Sequence, residues 1–467
     1  MNREKTAWIV SLILIAMLAF QLPGSLANRD DDYAFVKALI DVHRQVSANY
    51  VDPVDEEKLR VGSVNGMMSE LDPYSIFIPA AKTEEFDNLL EGSFKGVGIQ
   101  LSQLENGDIE VVSPIPDSPA HKAGVMAGDI IIKVNGEDIK GKKIDEVQKI
   151  VKGPLGTEVR LTVKRTDGTE AELKMTRQEI VMPTVMGYRR DAANNWDYWV
   201  SPNPKIAYIR ITQFTADTYK ELRKALDKTM AAGMQGLILD LRFNPGGRLD
   251  QAKQVVNLFV NDGVIVVTKG SHRTEEIARA RPEDALPRQF PMIVLVNEHS
   301  ASAAEIVAGS LKDNKRALIM GTRTYGKGSV QEIIPLEPDE GELKLTVAYY
   351  YLPSGRLVHK KKGATDWGVD PNVNVPMSDK LQAQVYQEQG EQELFHKPLP
   401  ATTKAATTQS AKNGSTTKNG ATTQPVVDNQ LQEAVTTIVD SIKHHGETLL
   451  IPATQPIASP ATQVSQK

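Results

Sequence analysis

The sequence contains no cysteine among its 467 residues. The chain therefore forms no disulfide, no cysteine-ligated zinc or iron–sulfur site and no lipidated cysteine anchor. A thiol nucleophile is excluded as well. Any covalent catalysis by this protein must use an oxygen or nitrogen nucleophile.

An excess of basic residues is also missing. The 54 Lys and Arg face 59 Asp and Glu, which gives a formal net charge of −5 and a pI near 6.0. Without a global basic field to hold phosphate backbones, a nucleic-acid partner is not expected. Hydrophobic residues make up 40% of the chain, an ordinary globular composition that excludes fibrous and wholly disordered proteins. The length suggests roughly three domains, at about 150 residues each.

The first 27 residues have the order of a secretory signal. Arg3 and Lys5 precede an apolar run over residues 7–20, and the small-residue trio Ser25-Leu26-Ala27 follows. At about 14 residues, the run is shorter than the roughly 20 that a membrane-spanning helix needs. We expect an exported protein of the periplasm or cell envelope, with cleavage after Ala27. The alternative is an uncleaved anchor, in which residues 7–20 alone contact the membrane.

The body of the chain divides by periodicity into three parts. Apolar residues recur at helical spacing over about 31–90, which predicts a small helical domain broken at Asp52-Pro53 and Asp72-Pro73. Short β-rich runs with turns over 94–174 predict a β-rich module with one helix, Ile144 to Lys152. Over 205–346, continuous apolar runs alternate with helical patterns, as in an α/β fold with buried parallel strands. The predicted strands are Ile206 to Ile211, Leu237 to Leu241, Val264 to Val267, Met292 to Val296 and Ala317 to Met320.

The carboxyl-terminal part begins with a low-complexity stretch. After Pro398 the composition becomes rich in Thr, Ala, Lys and Gln, too polar to form a core, which predicts a linker. Beyond it, an apolar stripe of Leu431, Val435, Ile438 and Ile442 predicts one amphipathic helix. We interpret this helix as a docking or dimerisation element.

Ser302 stands where the buried strand Val294 to Val296 runs into a helix. A hydroxyl at the carboxyl end of a parallel strand lies where open α/β sheets bind their ligands. The N–H of Ala303 lies at the positive end of the helix, where it can stabilise an oxyanion. The alternative is purely structural, because Ser302 and Glu305 also have the spacing of a capping box.

A serine nucleophile needs a base, and the eight histidines are scattered with no Gly-x-Ser-x-Gly motif. We expect His299, on the same loop, to pack or cap. The better candidate is Lys327, because a desolvated lysine has a lowered pKa that populates the neutral amine. Two glycines flank it, and the Gln331 amide can orient its amine. The alternative is an ordinary loop lysine facing solvent.

These motifs together resemble a known family. The segments Ser300 to Glu305, Tyr325 to Gln331 and Asp240 to Gly247 are similar to those of the carboxyl-terminal processing, or tail-specific, proteases of peptidase family S41. The resemblance implies a ClpP/crotonase-like protease core with Ser302 as nucleophile, Lys327 as general base and Gln331 as the residue that positions the lysine. It implies no metal or organic cofactor. One departure is Ala304, where many relatives carry another serine.

The turn 244–247, Asn-Pro-Gly-Gly, follows the strand that ends at Leu241. Its backbone amides are fixed before charge develops, so they can supply a second oxyanion donor beside Ala303. The resemblance implies Gly246 or Gly247 for this role, and the residues alone do not choose between them. By itself, the sequence is also that of a common turn.

The β-rich module resembles a bacterial PDZ domain. In Gly96-Val97-Gly98-Ile99, two glycines can aim consecutive N–H groups at one carboxylate. The helix that follows carries Val147, Ile150 and Val151 on one side, as in modules that bind an extended peptide by β-augmentation. Segments 118–124 and 128–136 also resemble PDZ domains. Arg177 matches a position that couples the PDZ domain to the protease in some relatives, and the alternative is a surface arginine.

We therefore expect an α/β multidomain protein whose segments run in a defined order: a signal peptide or anchor (1–27), a helical domain (28–90), a PDZ domain (91–176), a protease core (177–397), a linker (398–428) and a carboxyl-terminal helix with its tail (429–467). It is expected to cleave exported polypeptides near their carboxyl ends through an acyl-enzyme. Its partners would be polypeptides with free carboxyl termini, and further contacts are an activating adaptor and a homo-oligomer through the terminal helices. The alternatives are a PDZ adaptor or chaperone with an inactive core, and a Ser-His esterase.

Overall fold

The computed structural model describes residues 23–191, 193–287, 290–337, 340–394 and 426–445. The chain divides into two compact units at Phe77 and Ile78. The apolar run 7–20, most of the linker and the residues after 445 lie outside the described residues. Among the residues described, no helix has both the length and the apolarity needed to span a membrane.

The first unit contains two helices, α1 (Pro23–Asn49) and α2 (Glu56–Ser69), and the boundary between the units falls within strand β1 (Ile76–Ile78). Asp55 caps α2 by accepting a hydrogen bond from the N–H of Lys58. Both helices lie in the region where the apolar spacing predicts helices. No residue of α2 is buried, and Leu39, Ile40 and Val42 of α1 are 42–62% exposed. The apolar spacing in the sequence predicted the helices, but it did not show whether their apolar side chains are buried.

The second unit opens with a helix and a β-rich module. Helix α3 (Ala80–Glu91) ends at Gly92, whose φ of +70° forms a left-handed cap. The module's secondary structure comprises β2 (Ser93–Gly96), β3 (Ile99–Gln103), β4 (Ile109–Pro114), α4 (Pro119–Lys122), β5 (Ile130–Val134), β6 (Glu137–Asp138), α5 (Ile144–Val151), β7 (Glu158–Lys164), β8 (Glu170–Thr176) and β9 (Gln178–Val181). A six-stranded antiparallel sheet has the order β3-β4-β5-β7-β8, with β6 beside β5, so β3 is an edge strand.

A seven-stranded sheet forms the centre of the second unit. It contains β10 (Val185–Met186), β13 (Trp199–Pro202), β14 (Lys205–Ile211), β15 (Gly236–Asp240), β18 (Met292–Val296), β19 (Leu318–Gly321) and β22 (Val373–Asn374), with a separate pair β11 (Arg189–Arg190) and β12 (Trp196–Asp197). Strands β14, β15, β18 and β19 are neighbours in parallel, as their continuous apolar runs predict. Their carboxyl ends therefore meet at one edge.

Helices cover both faces of this sheet. One face packs against α6 (Thr218–Ala231), α7 (Leu249–Phe259) and α8 (Ala303–Asp313). The other face carries α9 (Asp379–Glu393) and α10 (Asn429–His445), and buried Ala434 and Ile438 of α10 pack against strand residues such as Ile238 and Ile293. The predicted stripe of the carboxyl-terminal helix thus docks on the sheet of its own chain.

A second, antiparallel sheet adjoins the core. Four of its five strands are β16 (Val264–Gly270), β17 (Arg273–Arg279), β20 (Ser329–Pro335) and β21 (Glu342–Tyr351), and β21 lies between β20 and β16. The prediction that Val264 to Val267 belongs to the parallel sheet is wrong. Its apolar run is too short to distinguish the two settings, and its partner β17 is almost entirely exposed and polar, so it gave no apolar signal.

Candidate active site

Ser302 lies between the carboxyl end of β18 and the first turn of α8. Its φ of +55° is unusual for a residue other than glycine. Ser302 and Glu305 form the capping box that their spacing predicts, and the N–H of Ser302 donates to the Glu305 carboxylate at 2.8 Å. The interpretation of this pair as a helix cap is therefore correct. It does not account for the other bonds of Glu305.

Glu305 joins the serine loop to the lysine loop. Its side chain is fully buried, and its carboxylate accepts hydrogen bonds from the N–H groups of Gly326 (2.7 Å) and Lys327 (2.8 Å) and from the Thr324 hydroxyl (2.5 Å). Burial raises the pKa of Glu305, and these hydrogen bonds offset part of that rise. The same carboxylate therefore fixes the backbone of Ser302 and of Lys327.

Tyr350, on β21, makes a second connection between the two loops. Its buried hydroxyl lies 3.1 Å from the carbonyl oxygen of Ser302 and also donates to the carbonyl oxygen of Lys327. Lys327 itself is partly buried. Ser302 and Lys327, 25 positions apart in the sequence, are thus adjacent in space. Nothing in the sequence pointed to Tyr350, which looks like an ordinary aromatic residue of a strand.

Gln331 follows on β20 and is held by two hydroxyls. Its amide nitrogen donates to Ser329 at 2.8 Å and to Thr346 at 3.1 Å. These bonds fix the orientation of the amide, so that its oxygen points away from both hydroxyl groups.

The turn 244–247 packs directly against Ser302. A β-carbon placed on Gly246 would stand 2.6 Å from the Cβ of Ser302 and 3.0 Å from the nitrogen of Ala303. The N–H of Gly246 is already bonded to the side-chain oxygen of Asn244 at 2.8 Å. Among the described residues, the N–H groups of Gly247 and Ala303 have no hydrogen-bond acceptor. These two amides are therefore available to an incoming oxyanion.

His299 does not approach this site as a base would. Its ring is exposed and stacks on Phe243 at 5.7 Å, which agrees with the expected packing role. The histidine beside the lysine loop is instead His359, whose Nδ1 accepts a hydrogen bond from the N–H of Gly328 at 3.3 Å. The sequence gave no sign that His359 lies there. Among the described residues, no cluster of acidic and histidine side chains is suited to hold a metal ion.

The peptide groove that the PDZ resemblance implies would be formed by edge strand β3 and helix α5. Gly98 has a φ of +78°, and the N–H groups of Val97 and Gly98 have no acceptor among the described residues. This arrangement suits a carboxylate. Of the predicted apolar contacts, Val97, Val147 and Val151 are buried in the core of the module, and only Ile99 and Ile150 are partly exposed. Gly96 pairs with Gln178 in the β2–β9 ladder.

Arg177 is buried, so the alternative of a surface arginine is wrong. Its guanidinium donates to the carbonyl oxygens of Ile150 and Val151, each at 2.9 Å, and to Thr157 and the carbonyl of Glu158. It thereby satisfies the carbonyl groups at the carboxyl end of α5. Arg177 fixes one end of the helix that borders the groove.

Comparison with known proteins identifies the family. Residues 205–375 match peptidase family S41, and residues 110–165 match a PDZ domain. The chain is 36% identical over 388 residues to the carboxy-terminal-processing protease of Bartonella bacilliformis, a match that covers 81% of this chain and 85% of that protein. The chain belongs to the carboxy-terminal processing proteases. It is also 36% identical over 340 residues to the carboxy-terminal processing protease CtpA of Bacillus subtilis, covering 72% of this chain and 68% of that one.

Among solved structures, the photosystem II D1 C-terminal processing protease is similar, with 28% identity, a TM-score of 0.39, and coverage of 71% of this chain and 85% of that chain. The matches to family S41, to a PDZ domain and to the Bartonella protease confirm the predicted family and fold class: this carboxy-terminal processing protease is an α/β serine protease of family S41 with a PDZ domain and a helical amino-terminal region. From the sequence, Glu305 was predicted only as a helix cap, Tyr350 was not predicted at all, and Asn244 was predicted as a turn residue without the role of its side chain.

Proposed function

We propose that this protease cleaves exported polypeptides near their carboxyl ends through a Ser302–Lys327 dyad. The observation that carries the proposal is the double connection of the two loops, by the Glu305 carboxylate and the Tyr350 hydroxyl. A nucleophile and its base must be held at hydrogen-bonding reach for proton transfer. Fixing both backbones to the same two side chains supports that arrangement.

In the proposed reaction, the neutral Lys327 amine takes the proton of the Ser302 hydroxyl as its oxygen attacks the scissile carbonyl carbon. The N–H groups of Ala303 and Gly247 bind the resulting oxyanion, and we prefer Gly247 to Gly246 because the latter's N–H is engaged by Asn244. The Lys327 ammonium then protonates the departing amine, leaving an acyl-enzyme that water hydrolyses. The amide oxygen of Gln331 accepts a hydrogen bond from Lys327 and keeps it aimed.

The test uses purified protein and an unstructured polypeptide, with fragments identified by mass spectrometry. Ser302→Ala and Lys327→Ala are each expected to remove most cleavage, and the double variant to be hardly worse, because parts of one catalytic unit are not additive. Lys220→Ala, which removes a highly exposed lysine of α6, is the matched control and should retain activity. Substantial cleavage by Lys327→Ala would contradict the dyad. If replacing a histidine by alanine removed as much cleavage as Lys327→Ala, the Ser-His esterase alternative would be favoured. No cleavage by the wild type would favour the adaptor alternative.

We further infer that the protein acts outside the cytoplasm. The charged, apolar and small-residue order of residues 1–27 supports this proposal. Amino-terminal sequencing of the mature protein tests it: a new terminus at Asn28 is expected. An intact Met1 on a cytoplasmic product would contradict export, and an intact Met1 on an envelope product would contradict cleavage while favouring the anchor.

We also propose that α1 and α2 bind a second copy of the chain. The exposed apolar residues Leu39, Ile40 and Val42 of α1 support this proposal, since a helix in water does not normally leave several large apolar side chains exposed. The apolar residues of α10, by contrast, pack against the seven-stranded sheet of the same chain. Light scattering should show a smaller assembly for Leu39→Glu combined with Ile40→Glu. An unchanged mass would exclude these helices as the contact, and an activating adaptor would then be the remaining candidate for that face.

A further inference from the structure

A buried ion pair connects the carboxyl-terminal helix to the turn beside Ser302. Arg242, two residues after the end of β15, is almost fully buried, and its two terminal nitrogens donate to the two carboxylate oxygens of Asp428 at 3.0 and 2.8 Å. Gln430 accepts a third bond, at 3.1 Å. Asp428 lies at the start of α10, and its carboxylate also accepts a hydrogen bond from the N–H of Leu431, as a helix cap does.

The inner side of the guanidinium is held by Asp240, with bonds of 2.7 to 3.1 Å. Arg242 is therefore placed between two carboxylates, and each of its nitrogens has a partner. Such bidentate, charge-assisted pairs fix the geometry of the arginine as well as neutralise it. Removing Asp428 would leave the outer N–H groups buried without their partners, and the arginine would have to move to regain them.

The residues on either side of Arg242 hold the serine loop. The carbonyl of Leu241 accepts from the Ser300 hydroxyl at 2.7 Å, and the carbonyl of Asn244 accepts from the N–H of Ala301 at 2.9 Å. The N–H of Phe243 donates to the side chain of Asn297, at 3.0 Å. Arg242 is thus the centre of a stretch that bonds to the loop of Ser302 on both sides.

Two residues, one next to Arg242 and one in the serine loop, have backbone conformations that local preferences disfavour. Phe243 has a φ of +60°, which is strained for a residue with a β-carbon, and Ser302 has a φ of +55°. Conformations of this kind persist only where the surroundings determine them. On one side of the stretch those surroundings are the bonds to residues 297–301. On the other side they are Asp240 and Asp428.

We propose that Asp428 is a positioning residue of the active site, which acts through Arg242 on the turn 244–247 and on the loop of Ser302. The inference rests on the proposed Ser302 chemistry. It also gives the carboxyl-terminal helix a role. Helix α10 lies beyond the part of the chain that matches peptidase family S41, yet Asp428 at its start helps to hold the turn 244–247 in place. The helix is therefore required for turnover rather than for substrate capture.

The first experiment measures kcat and KM of the full-length protein and its variants on a soluble polypeptide. Asp428→Asn keeps the shape of the side chain but loses the charge and one acceptor. It should lower kcat about tenfold or more while KM stays within twofold, because oxyanion donors act mainly in the transition state. Asp428→Glu should recover part of the loss. Glu433→Gln removes an exposed carboxylate from the same helix and should match the wild type.

The second experiment is hydrogen–deuterium exchange on the same full-length variants, which does not depend on activity. In Asp428→Asn, the amides of residues 241–247 should exchange faster, while those of β3 to β8 keep the wild-type rate. If Asp428→Asn is too unstable to study, Gln430→Met removes one neutral bond to Arg242 and should give a smaller change of the same kind.

The outcomes separate this inference from the proposed function. Wild-type kcat and wild-type exchange in a folded Asp428→Asn, with Ser302→Ala inactive, would overturn the positioning role and leave the dyad intact. Faster exchange throughout the protein, with kcat unchanged per folded molecule, would also overturn it, because the pair would then be merely structural. Cleavage that survives in Ser302→Ala would instead contradict the proposed function.

Discussion

The hydroxyl of Tyr350 lies 3.1 Å from the carbonyl oxygen of Ser302, and the same hydroxyl donates to the carbonyl of Lys327. Tyr350→Phe keeps the ring and removes the hydroxyl that forms this bridge. We expect a folded protein whose kcat falls about tenfold, since small displacements of reacting groups are costly to the rate. Tyr386→Phe, at an exposed tyrosine of α9, is the matched control. A wild-type kcat in Tyr350→Phe would mean that the other contacts position the loops alone.

Substitution of Glu305 is expected to lower activity more than substitution of Tyr350, because the Glu305 carboxylate accepts hydrogen bonds from four donors. Glu305→Gln replaces one acceptor oxygen by an NH₂ group that faces backbone N–H donors. Hydrogen bonds to charged groups contribute about 1.5–3 kcal/mol each, so activity should fall about a hundredfold and the melting temperature should drop. Glu298→Gln, at an exposed glutamate of the loop that precedes Ser302, should stay within about twofold of wild type. An active, fully stable Glu305→Gln would refute the connecting role.

The contact of Gly246 with Ser302 predicts that this position tolerates no side chain. Gly246→Ala adds a β-carbon 2.6 Å from the Cβ of Ser302, on a residue whose φ is +101°. We expect loss of cleavage and a lower melting temperature. Gly390→Ala, in α9 where nothing lies within 4 Å, should instead be stabilised by about 0.5–1 kcal/mol, since alanine favours a helix. Retained cleavage in Gly246→Ala would mean that the turn lies further from the nucleophile.

Much of the core could be predicted because its signals are local. The strands β14, β15, β18 and β19 are buried on both faces, so their apolar runs are continuous and appear in the sequence with boundaries close to the observed ones. The helix-start position of Ser302 was equally readable. Strand β17, by contrast, is an exposed edge whose sequence carries no apolar pattern, so its pairing with Val264 to Gly270 was not predicted.

The contacts that organise the site are of a different kind. Tyr350 lies 48 residues from Ser302, and Asp428 lies 186 residues from Arg242. Neither distance is related to a helical or strand period, so no periodicity argument brings these residues together. Glu305 was visible only as a capping residue, because its bonds to Gly326 and Lys327 depend on how β19 leads into the lysine loop. The family resemblance implies the roles of Ser302 and Lys327, and the structure shows which side chains hold their backbones in place.

The pair Asp240–Arg242 predicts how stability changes with pH. Burial would raise the pKa of Asp240, but the charge and hydrogen bonds of Arg242 outweigh it and hold that pKa below its ordinary value. This stabilisation is therefore complete above the ordinary carboxyl pKa of about 3.9 and is lost as pH falls through the lower folded-state value. Near neutral pH, Asp240→Asn should cost about 3–5 kcal/mol.

The measurement is urea unfolding of wild type and Asp240→Asn between pH 7 and pH 3. The difference in their free energies of unfolding should shrink as the pH falls below about 4. Asp227→Asn breaks an exposed pair with Arg223 and should cost less than about 1 kcal/mol throughout. A difference for Asp240→Asn that stays constant over this range would show that the Asp240 charge is not what stabilises the fold.

The loop before β3 is predicted to bind the free carboxyl terminus of a substrate. The N–H groups of Val97 and Gly98 have no acceptor among the described residues, and edge strand β3 continues from them. If they bind the terminal carboxylate, amidating a substrate removes a charge-assisted contact of about 1.5–3 kcal/mol. Capture should weaken about tenfold or more, at about 1.4 kcal/mol per decade. Paired free and amidated peptides with apolar last residues, compared by KM, measure this effect.

Variants of the loop locate the effect. Gly98→Ala places a β-carbon 2.3 Å from the Cβ of Ser118 on a residue with a φ of +78°, so it should distort the loop and abolish discrimination between free and amidated ends. Gly107→Ala, at a φ of +86° with nothing within 4 Å, carries similar backbone strain away from the groove and should keep that discrimination. Deleting residues 94–175 tests the other possibility, a domain that blocks the site, which predicts faster basal cleavage. Equal cleavage of free and amidated peptides by the intact enzyme would show that this domain does not read the carboxyl terminus.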